Sequence, residues 1–212
     1  MHNINYGLIL TSLCCYLIGS IPNGYFLVKY YCNKDLRNEG SGNVGTLNAY
    51  VVSKSRLMGV SVLILDFLKG LIPVIIMTFI FKFGLYFILI ASIFIIIGHN
   101  YPLWLNFKGG RGLASAAGVF LLLNFGFVIT WCLIWGIYYR LKKDVLASNF
   151  VATFSLPILV IVLKNLYLPF TVINYAEHFN LIILFNIIIS ILIIIKHKAI
   201  LYRLIPFTAK NL

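Results

Sequence analysis

Charge is scarce in this chain. Only 10% of its 212 residues are Asp, Glu, Lys or Arg, where a soluble domain carries about a quarter. Acidic residues are scarcer still, 5 against 17 Lys and Arg, and 61% of the chain is hydrophobic. Those proportions exclude an ordinary soluble globule and indicate a polytopic membrane protein. No Ser/Pro-rich linker and no internal repeat divides the chain, so residues 1–212 are expected to form one integral membrane domain. The four cysteines (Cys14, Cys15, Cys32, Cys132) lack metal-site spacing and a secreted disulfide pattern, which leaves packing as their role. A Ser-His-Asp triad, a Walker lysine loop and a metal cluster are not evident either, and those reaction classes are disfavoured. Met1-His2-Asn3 carries no Lys or Arg, so the run that starts at Ile4 lacks the basic start of a cleaved signal. We read it as a retained membrane helix.

What the chain has is long apolar runs. Candidate spans of about 20 residues are Ile4–Tyr30, Leu57–Phe81, Leu85–Gly98 (short), Leu146–Leu163 and Phe179–Ile195. All of the 17 Lys and Arg except Lys69, Lys82 and Lys164 fall in four clusters beside these runs. If the clusters share one side, that side is the cytoplasm by the positive-inside rule. The formal net charge of +12 then reflects topology and attraction to anionic lipids or substrates, not nucleic acid. The chain must also cross an even number of times between Arg111 and Arg140. Leu113 to Tyr139 is too short for two full spans, so a hairpin of two short helices turning near Asn124-Phe125-Gly126 is expected. The fold class is therefore all-α: a polytopic membrane helical bundle of about seven transmembrane segments, two of them short. The alternative is one long helix there, which puts the Arg140 cluster outside. Pro22 should break the first span near its cytoplasmic end.

Two glycine-rich islands interrupt the runs. The first is Arg37-Asn38-Glu39-Gly40-Ser41-Gly42-Asn43-Val44-Gly45, and the second is His99-Asn100-Tyr101-Pro102 followed by Lys108-Gly109-Gly110-Arg111-Gly112. Glycines let backbone N–H groups crowd around an anion, and Lys and Arg supply countercharge. In the first island Ser41, Asn43 and Asn48 add side-chain donors. In the second, Gly112 opens a helix beside Arg111, favouring an anion by dipole and by charge. The competing reading is an ordinary tight loop for the first and a positive-inside anchor for the second. Asp66 and Lys69 share a helix face at i,i+3 and can pair. His99 and His197 are candidates for phosphate contact or proton transfer; His2 and His178 are given no role.

In order and spacing these pieces resemble the bacterial acyl-phosphate:glycerol-3-phosphate acyltransferases of the PlsY type. The resemblance runs over Gly19-Ser20-Ile21-Pro22, Asp35-Leu36-Arg37 with Gly40 to Gly45, Leu65-Asp66-Phe67-Leu68-Lys69-Gly70, Gly98 to Pro102, Phe107 to Ala114, and Lys196-His197-Lys198 with Arg203-Leu204. It implies a seven-helix enzyme of the bacterial cell (inner) membrane with its site on the cytoplasmic face. It further implies transfer of a fatty acyl group from acyl phosphate to the 1-hydroxyl of sn-glycerol 3-phosphate, giving lysophosphatidate and phosphate in phospholipid synthesis. No metal, other cofactor or acyl carrier is implied; the partners are the two substrates and membrane lipids. Ser41, Arg111 and His197 become the expected catalytic residues. Gly40, Gly42, Asn43, Gly45, Asn48, His99, Lys108, Gly109, Gly110 and Gly112 become the expected substrate-binding ones.

The sequence departs from the family pattern at several of these places. The family's Gly-Ala-Thr-Asn reads Gly45-Thr46-Leu47-Asn48, and the Arg four residues past the Thr is Val51. Arg111 stands for a Lys. A Ser near Asp144-Val145-Leu146-Ala147-Ser148 is lost or shifted, and an Asn three residues past His197 is Ile200. Lys54 or Arg56 is the nearest cation able to stand in for the missing guanidinium. Two functions are thus weighed: an active acyltransferase with a repacked site, and a catalytically impaired membrane paralogue that binds phosphate ligands or a partner protein. A transporter is disfavoured, because broken-helix sites at the midplane are not apparent.

Overall fold

The computed structural model describes residues 2–171 and 176–197. Among them the chain is helical, without β-strands: α1 His2–Gly19, α2 Asn23–Cys32, α3 Thr46–Ser53, α4 Arg56–Ile75, α5 Leu85–Asn100, α6 Leu113–Leu123, α7 Phe125–Lys142, α8 Val145–Val162, α9 Lys164–Tyr167 and α10 Phe179–Ile195. Local chemistry sets the boundaries. Pro22 ends α1 and caps α2, as its missing N–H and fixed φ require. The Ser55 hydroxyl accepts the Met58 N–H at the start of α4. Asp144 accepts the Leu146 and Ala147 N–H groups at the start of α8.

Among the described residues four stretches are long and apolar enough to cross a membrane: Tyr6–Cys32, Arg56–Ile80, Leu85–Leu105 and Val145–Val162. Counting α1 with α2 as one broken span, these four together with α6, α7 and α10 make seven segments. The break before α7 falls at Asn124, where the turn was expected. Its buried amide donates to the Tyr167 carbonyl at 2.8 Å and to Thr171 Oγ1 at 3.2 Å. The arms of the hairpin are unequal. The α6 arm has 11 residues but α7 has 18, because it continues through Arg140 to Lys142 in its last turn. The two shorter apolar helices are α6 and α10, not α6 and α7.

Glycines let the helices approach to backbone contact. A Cβ on Gly19 would meet the Ile95 carbonyl, and one on Gly98 the Tyr16 carbonyl, which seats α1 antiparallel on α5. Gly70 against Ser115 and Gly118 against Phe67 seat α4 on α6 in the same way. In lipid, where apolar burial does not drive helix association, such close packing is a main source of attraction. The larger core joins α5, α6, α7, α8 and α10 around Ile88, Ile95, Leu123, Phe127, Ile182 and Ile189. A smaller one (Val28, Leu36, Val44, Ala49, Val52, Val62, Leu105) lies under the first island and seats α2 and α3 on α4.

Candidate active site

The first island is a loop built around one buried amide. Asn48 Oδ1 accepts the Ser41 N–H at 2.9 Å, and Asn48 Nδ2 donates to the Leu36 and Glu39 carbonyls at 3.2 and 3.0 Å. Both amide hydrogens are therefore engaged inside the loop, and Asn48 positions it instead of offering a free donor. Gly40 (φ +59°) and Gly42 (φ +71°) take the left-handed region that the turn needs. The N–H of Gly42 goes to the Glu39 carbonyl and that of Gly45 to Asn43 Oδ1. Much of the expected ring of N–H donors is thus satisfied internally. Arg37 folds onto Asp35 through two guanidinium nitrogens and lies over the Tyr25 ring. The hydrogen bonds from Arg37 hold the half-buried Asp35 carboxyl down at about 2. This pair braces the entrance to the loop.

The second island uses glycine for a different reason. Gly109 N–H donates to the Asn100 carbonyl at 3.3 Å and Gly110 N–H to the His99 carbonyl at 3.0 Å. A Cβ on Gly110 would overlap the His99 ring, and one on Gly109 would overlap Pro102 and the His99 carbonyl. These glycines fold the loop back onto the end of α5, and their N–H groups do not face an anion. Lys108 is exposed. Only Gly112, at φ +83° before the first residue of α6, keeps its expected place at a helix start.

His99 sits between this loop and a buried polar cluster. Lys69 Nζ lies 3.0 Å from Asp66 Oδ1 and donates to the Ile21 carbonyl, left free by the break at Pro22. Asn23 donates to the same Asp66 oxygen at 3.0 Å. Ser115 Oγ donates its one hydrogen to the Asp66 carbonyl at 2.9 Å, so its 3.3 Å contact with His99 Nδ1 puts the imidazole proton on Nδ1. The Asp66–Lys69 pair of the sequence is thus a brace across α1, α2, α4 and α6. Asn23 and Ser115 belong to it without any signal in the sequence.

His197 follows α10. Its Nδ1–H donates to the Ile193 carbonyl at 2.8 Å, and its buried Nε2 has no hydrogen-bond partner among the described residues. Burial and the nearby Arg111 charge outweigh that hydrogen bond and push the imidazole down to about 4, so it is neutral at pH 7. Burial also lowers the pKa of Arg111.

These elements meet at a cavity of about 860 Å³. Of the expected site residues, Ser41, Asn43, Gly45, Asn48, His99, Arg111 and Gly112 line it. Gly40, Gly42, Lys108, Gly109, Gly110 and His197 do not. Arg56 lines it and Lys54 does not; Thr46 and Leu47 both do, whereas Val51 does not. Among the described residues no carboxylate pairs with Arg56 or Arg111. Away from this polar mouth the walls are apolar, from Leu113, Ala116, Ala117 and Phe120 on α6 to Phe127 and Trp131 on α7, Leu156 on α8 and Ile189 on α10. Val60, Leu63 and Cys132 line the cavity yet remain exposed, which opens its flank sideways. Trp131 Nε1 donates to Thr153 Oγ1 at 3.1 Å and Trp135 Nε1 to Asn149 Oδ1 at 2.7 Å, pinning α7 to α8. That pinning was legible in principle, since each partner pair repeats at i,i+4 on its own helix. Lys198, Ile200 and Arg203 lie outside the described residues.

Comparison with known proteins gives consistent matches. Residues 9–206 match the family described as glycerol-3-phosphate acyltransferase. The chain is similar to a glycerol-3-phosphate acyltransferase of Anaplasma marginale (strain Florida), 36% identical over 205 residues, covering 93% of this chain and 91% of that one. A glycerol-3-phosphate acyltransferase of Pelagibacter ubique is 34% identical over 157 residues, 74% of this chain and 80% of that one. Among solved structures it resembles the crystal structure of PlsY (YgiH), an integral membrane glycerol 3-phosphate acyltransferase, in its glycerol 3-phosphate form. The TM-score is 0.77 at 31% identity, with 93% of this chain and 92% of that one covered. The lysophosphatidic acid form of PlsY matches with a TM-score of 0.75 at 28% identity.

Proposed function

Because the chain belongs to the glycerol-3-phosphate acyltransferase family, we propose that it transfers a fatty acyl group from acyl phosphate to the 1-hydroxyl of sn-glycerol 3-phosphate. The products are lysophosphatidate and inorganic phosphate, and the role is in phospholipid synthesis. The observation that carries this reading is a single cavity with a cationic, hydroxyl-bearing mouth and apolar walls behind it. Such a shape suits a molecule with a phosphate head and a hydrocarbon chain, next to a second, small phosphorylated substrate. Its volume is near the upper end of ordinary ligand sites, about 300–1,000 Å³.

The chemistry asks little of the protein. The 1-hydroxyl oxygen attacks the acyl carbonyl carbon, a new C–O ester bond forms, and the bond from that carbon to the phosphate oxygen breaks. The hydroxyl proton leaves with the phosphate, which is basic enough to take it, so no protein nucleophile is needed. Positioning and charge stabilisation supply the rate. In this reading Arg111 and Arg56 hold phosphate oxygens, and Ser41, Asn43 and Thr46 hold the glycerol 3-phosphate. His197, neutral and outside the cavity lining, positions the end of α10 beside Arg111. Thr46 and Arg56 replace, on the same wall, the hydroxyl and guanidinium that the family pattern sets at 47 and 51. Gly40, Gly42 and Gly45 shape the first loop; Gly109, Gly110 and His99 set the position of Arg111. The basic end of the bundle is assigned to the cytoplasm of a bacterial cell (inner) membrane, by charge asymmetry.

Purified protein mixed with palmitoyl phosphate and glycerol 3-phosphate should release phosphate and form lysophosphatidate in equal amounts. A folded protein that forms none with any acyl phosphate would overturn the enzyme reading and leave the impaired paralogue.

A further inference from the structure

We propose that Phe120 and Phe127 form a closed floor that sets the length of hydrocarbon chain this protein accepts; the proposal rests on the reading that the acyl chain occupies the apolar part of the cavity. Four helices approach that part with their deeper residues. On α6 the lining face is Leu113, Ala116, Ala117 and Phe120, spaced as one helical stripe. The two alanines leave room, and the phenylalanine ends it. From Gly112 at the mouth to Phe120 is eight residues, about 12 Å of helix at ~1.5 Å per residue. On α7, which runs back toward the mouth, Trp135, Trp131 and Phe127 mark three successive turns, and Phe127 is the deepest. Leu156 on α8 and Ile189 on α10 complete the same layer.

Behind this layer the molecule is solid. The Phe120 and Phe127 rings meet at 5.5 Å. Phe120 also packs on Phe185 at 5.4 Å, and Phe127 on Tyr167 at 5.3 Å and Phe179 at 6.2 Å. Phe185, Tyr167 and Phe179 are buried and none of them lines the cavity. A chain that reaches the two floor rings therefore meets five aromatic rings backed by one another and by core. Interiors packed this way give little when one more methylene is forced in. The walls cannot part readily either, because the two tryptophan hydrogen bonds lock α7 to α8 beside the chain. A terminal methyl that stops at the floor gains full contact; a longer chain must bend toward the open flank between Val60 and Cys132.

The test changes depth in both directions. Ala117→Phe raises the floor from the half-buried alanine above it, and Phe120→Ala lowers it; Phe120→Leu serves if the alanine variant fails to fold. Two readouts are taken on wild type and variants: turnover of octanoyl, lauroyl and stearoyl phosphate, and binding of octyl, dodecyl and octadecyl phosphate, which cannot transfer an acyl group. Ala117→Phe should move the octanoyl-to-stearoyl ratio of kcat/KM at least about tenfold toward the short chain, and the floor-lowering variant should move it as far toward the long one. The alkyl phosphate affinities should follow in the same order. Equal profiles, or shifts in the same direction, would sink the floor. Inactivity of the wild type with every chain length, beside chain-dependent binding that still moves in opposite directions, overturns the enzyme reading and leaves the floor standing.

Discussion

The two islands look alike in sequence and are built on different physics. Around Gly40 and Gly42 the chain turns through the left-handed region, and glycine is there for its backbone freedom. At Gly109 and Gly110 the φ angles are ordinary, and glycine is there for its missing Cβ, because His99 and Pro102 occupy that space. The first loop presents Ser41 and Asn43 to the cavity; the second presents Arg111 beside His99 and Gly112, while the exposed Lys108 does not line it. Glycine and cations between membrane runs pointed to residues of which seven line one cavity: Ser41, Asn43, Gly45, Asn48, His99, Arg111 and Gly112. They could not show which atoms face it, since a Gly-rich string does not separate a turn from a wedge.

The largest expected effect sharpens the contrast inside the second island. Arg111→Ala should lower acyl transfer by 10²-fold or more, about 2.7 kcal/mol, the scale of losing one good donor at a developing charge. Lys108→Ala, one turn of chain away and exposed, should leave kcat/KM within about twofold, as surface substitutions do. Arg111→Lys keeps the cation and should fall between them. Equal losses at 108 and 111 would mean that the loop works by diffuse charge, and the assignment of the wall to Arg111 would fail.

A smaller effect separates the two uses of glycine. In Gly110→Ala the new methyl meets the buried His99 ring, so the end of α5 or the loop must shift, at about 1–3 kcal/mol for overpacking. In Gly42→Ala only the positive φ resists, at about 1–2 kcal/mol, and the nearest atom, the Arg37 carbonyl, is 3.2 Å from the new carbon. Thermal unfolding in detergent should therefore show the larger drop for Gly110→Ala. His99→Ala in the Gly110→Ala background should recover part of it, because the obstruction is gone. No recovery would break the wedge explanation. Gly42→Ala should not respond to His99→Ala at all.

Much of the fold was open to reading from the apolar runs and the side of the cations. The spans Phe179–Ile195 and Arg56–Ile80 fall where hydropathy puts them, and Pro22 and Asn124 break the chain where their chemistry says they should. The length of α7 was misjudged because Tyr138-Tyr139-Arg140 reads as an interface, while a helix continues through such residues when their side chains can reach polar surroundings. The candidate site was legible by composition and not by orientation. Asn48 looked like a substrate donor because an amide in a loop usually has a free hydrogen; its three bonds within the loop are long-range facts that spacing does not carry. Arg56 was one of two cations close to the gap left at Val51, and only the packing of α4 separates it from Lys54.

That choice supports the last and smallest prediction, which sets the first island's wall against the second's. Arg56 is exposed where Arg111 is half-buried, so water screens its charge and its contribution should be less. Arg56→Ala is expected to raise the KM for one phosphorylated substrate about tenfold, roughly 1.4 kcal/mol, with a smaller change in kcat. Lys54→Ala should do nothing measurable, because Lys54 does not reach the wall. Val51 lies near the end of α3, just before the turn that leads to Arg56 at the start of α4, and is 54% exposed, so a longer side chain at 51 has room. Val51→Arg in the Arg56→Ala background should then restore most of the lost affinity, while Val51→Arg alone should add little to a site that already has its cation. The two substitutions must therefore be non-additive, and the coupling is the quantity to measure. Additive effects, or a neutral Arg56→Ala in an active enzyme, would show that the guanidinium has no substitute here and that Arg111 holds the phosphates by itself.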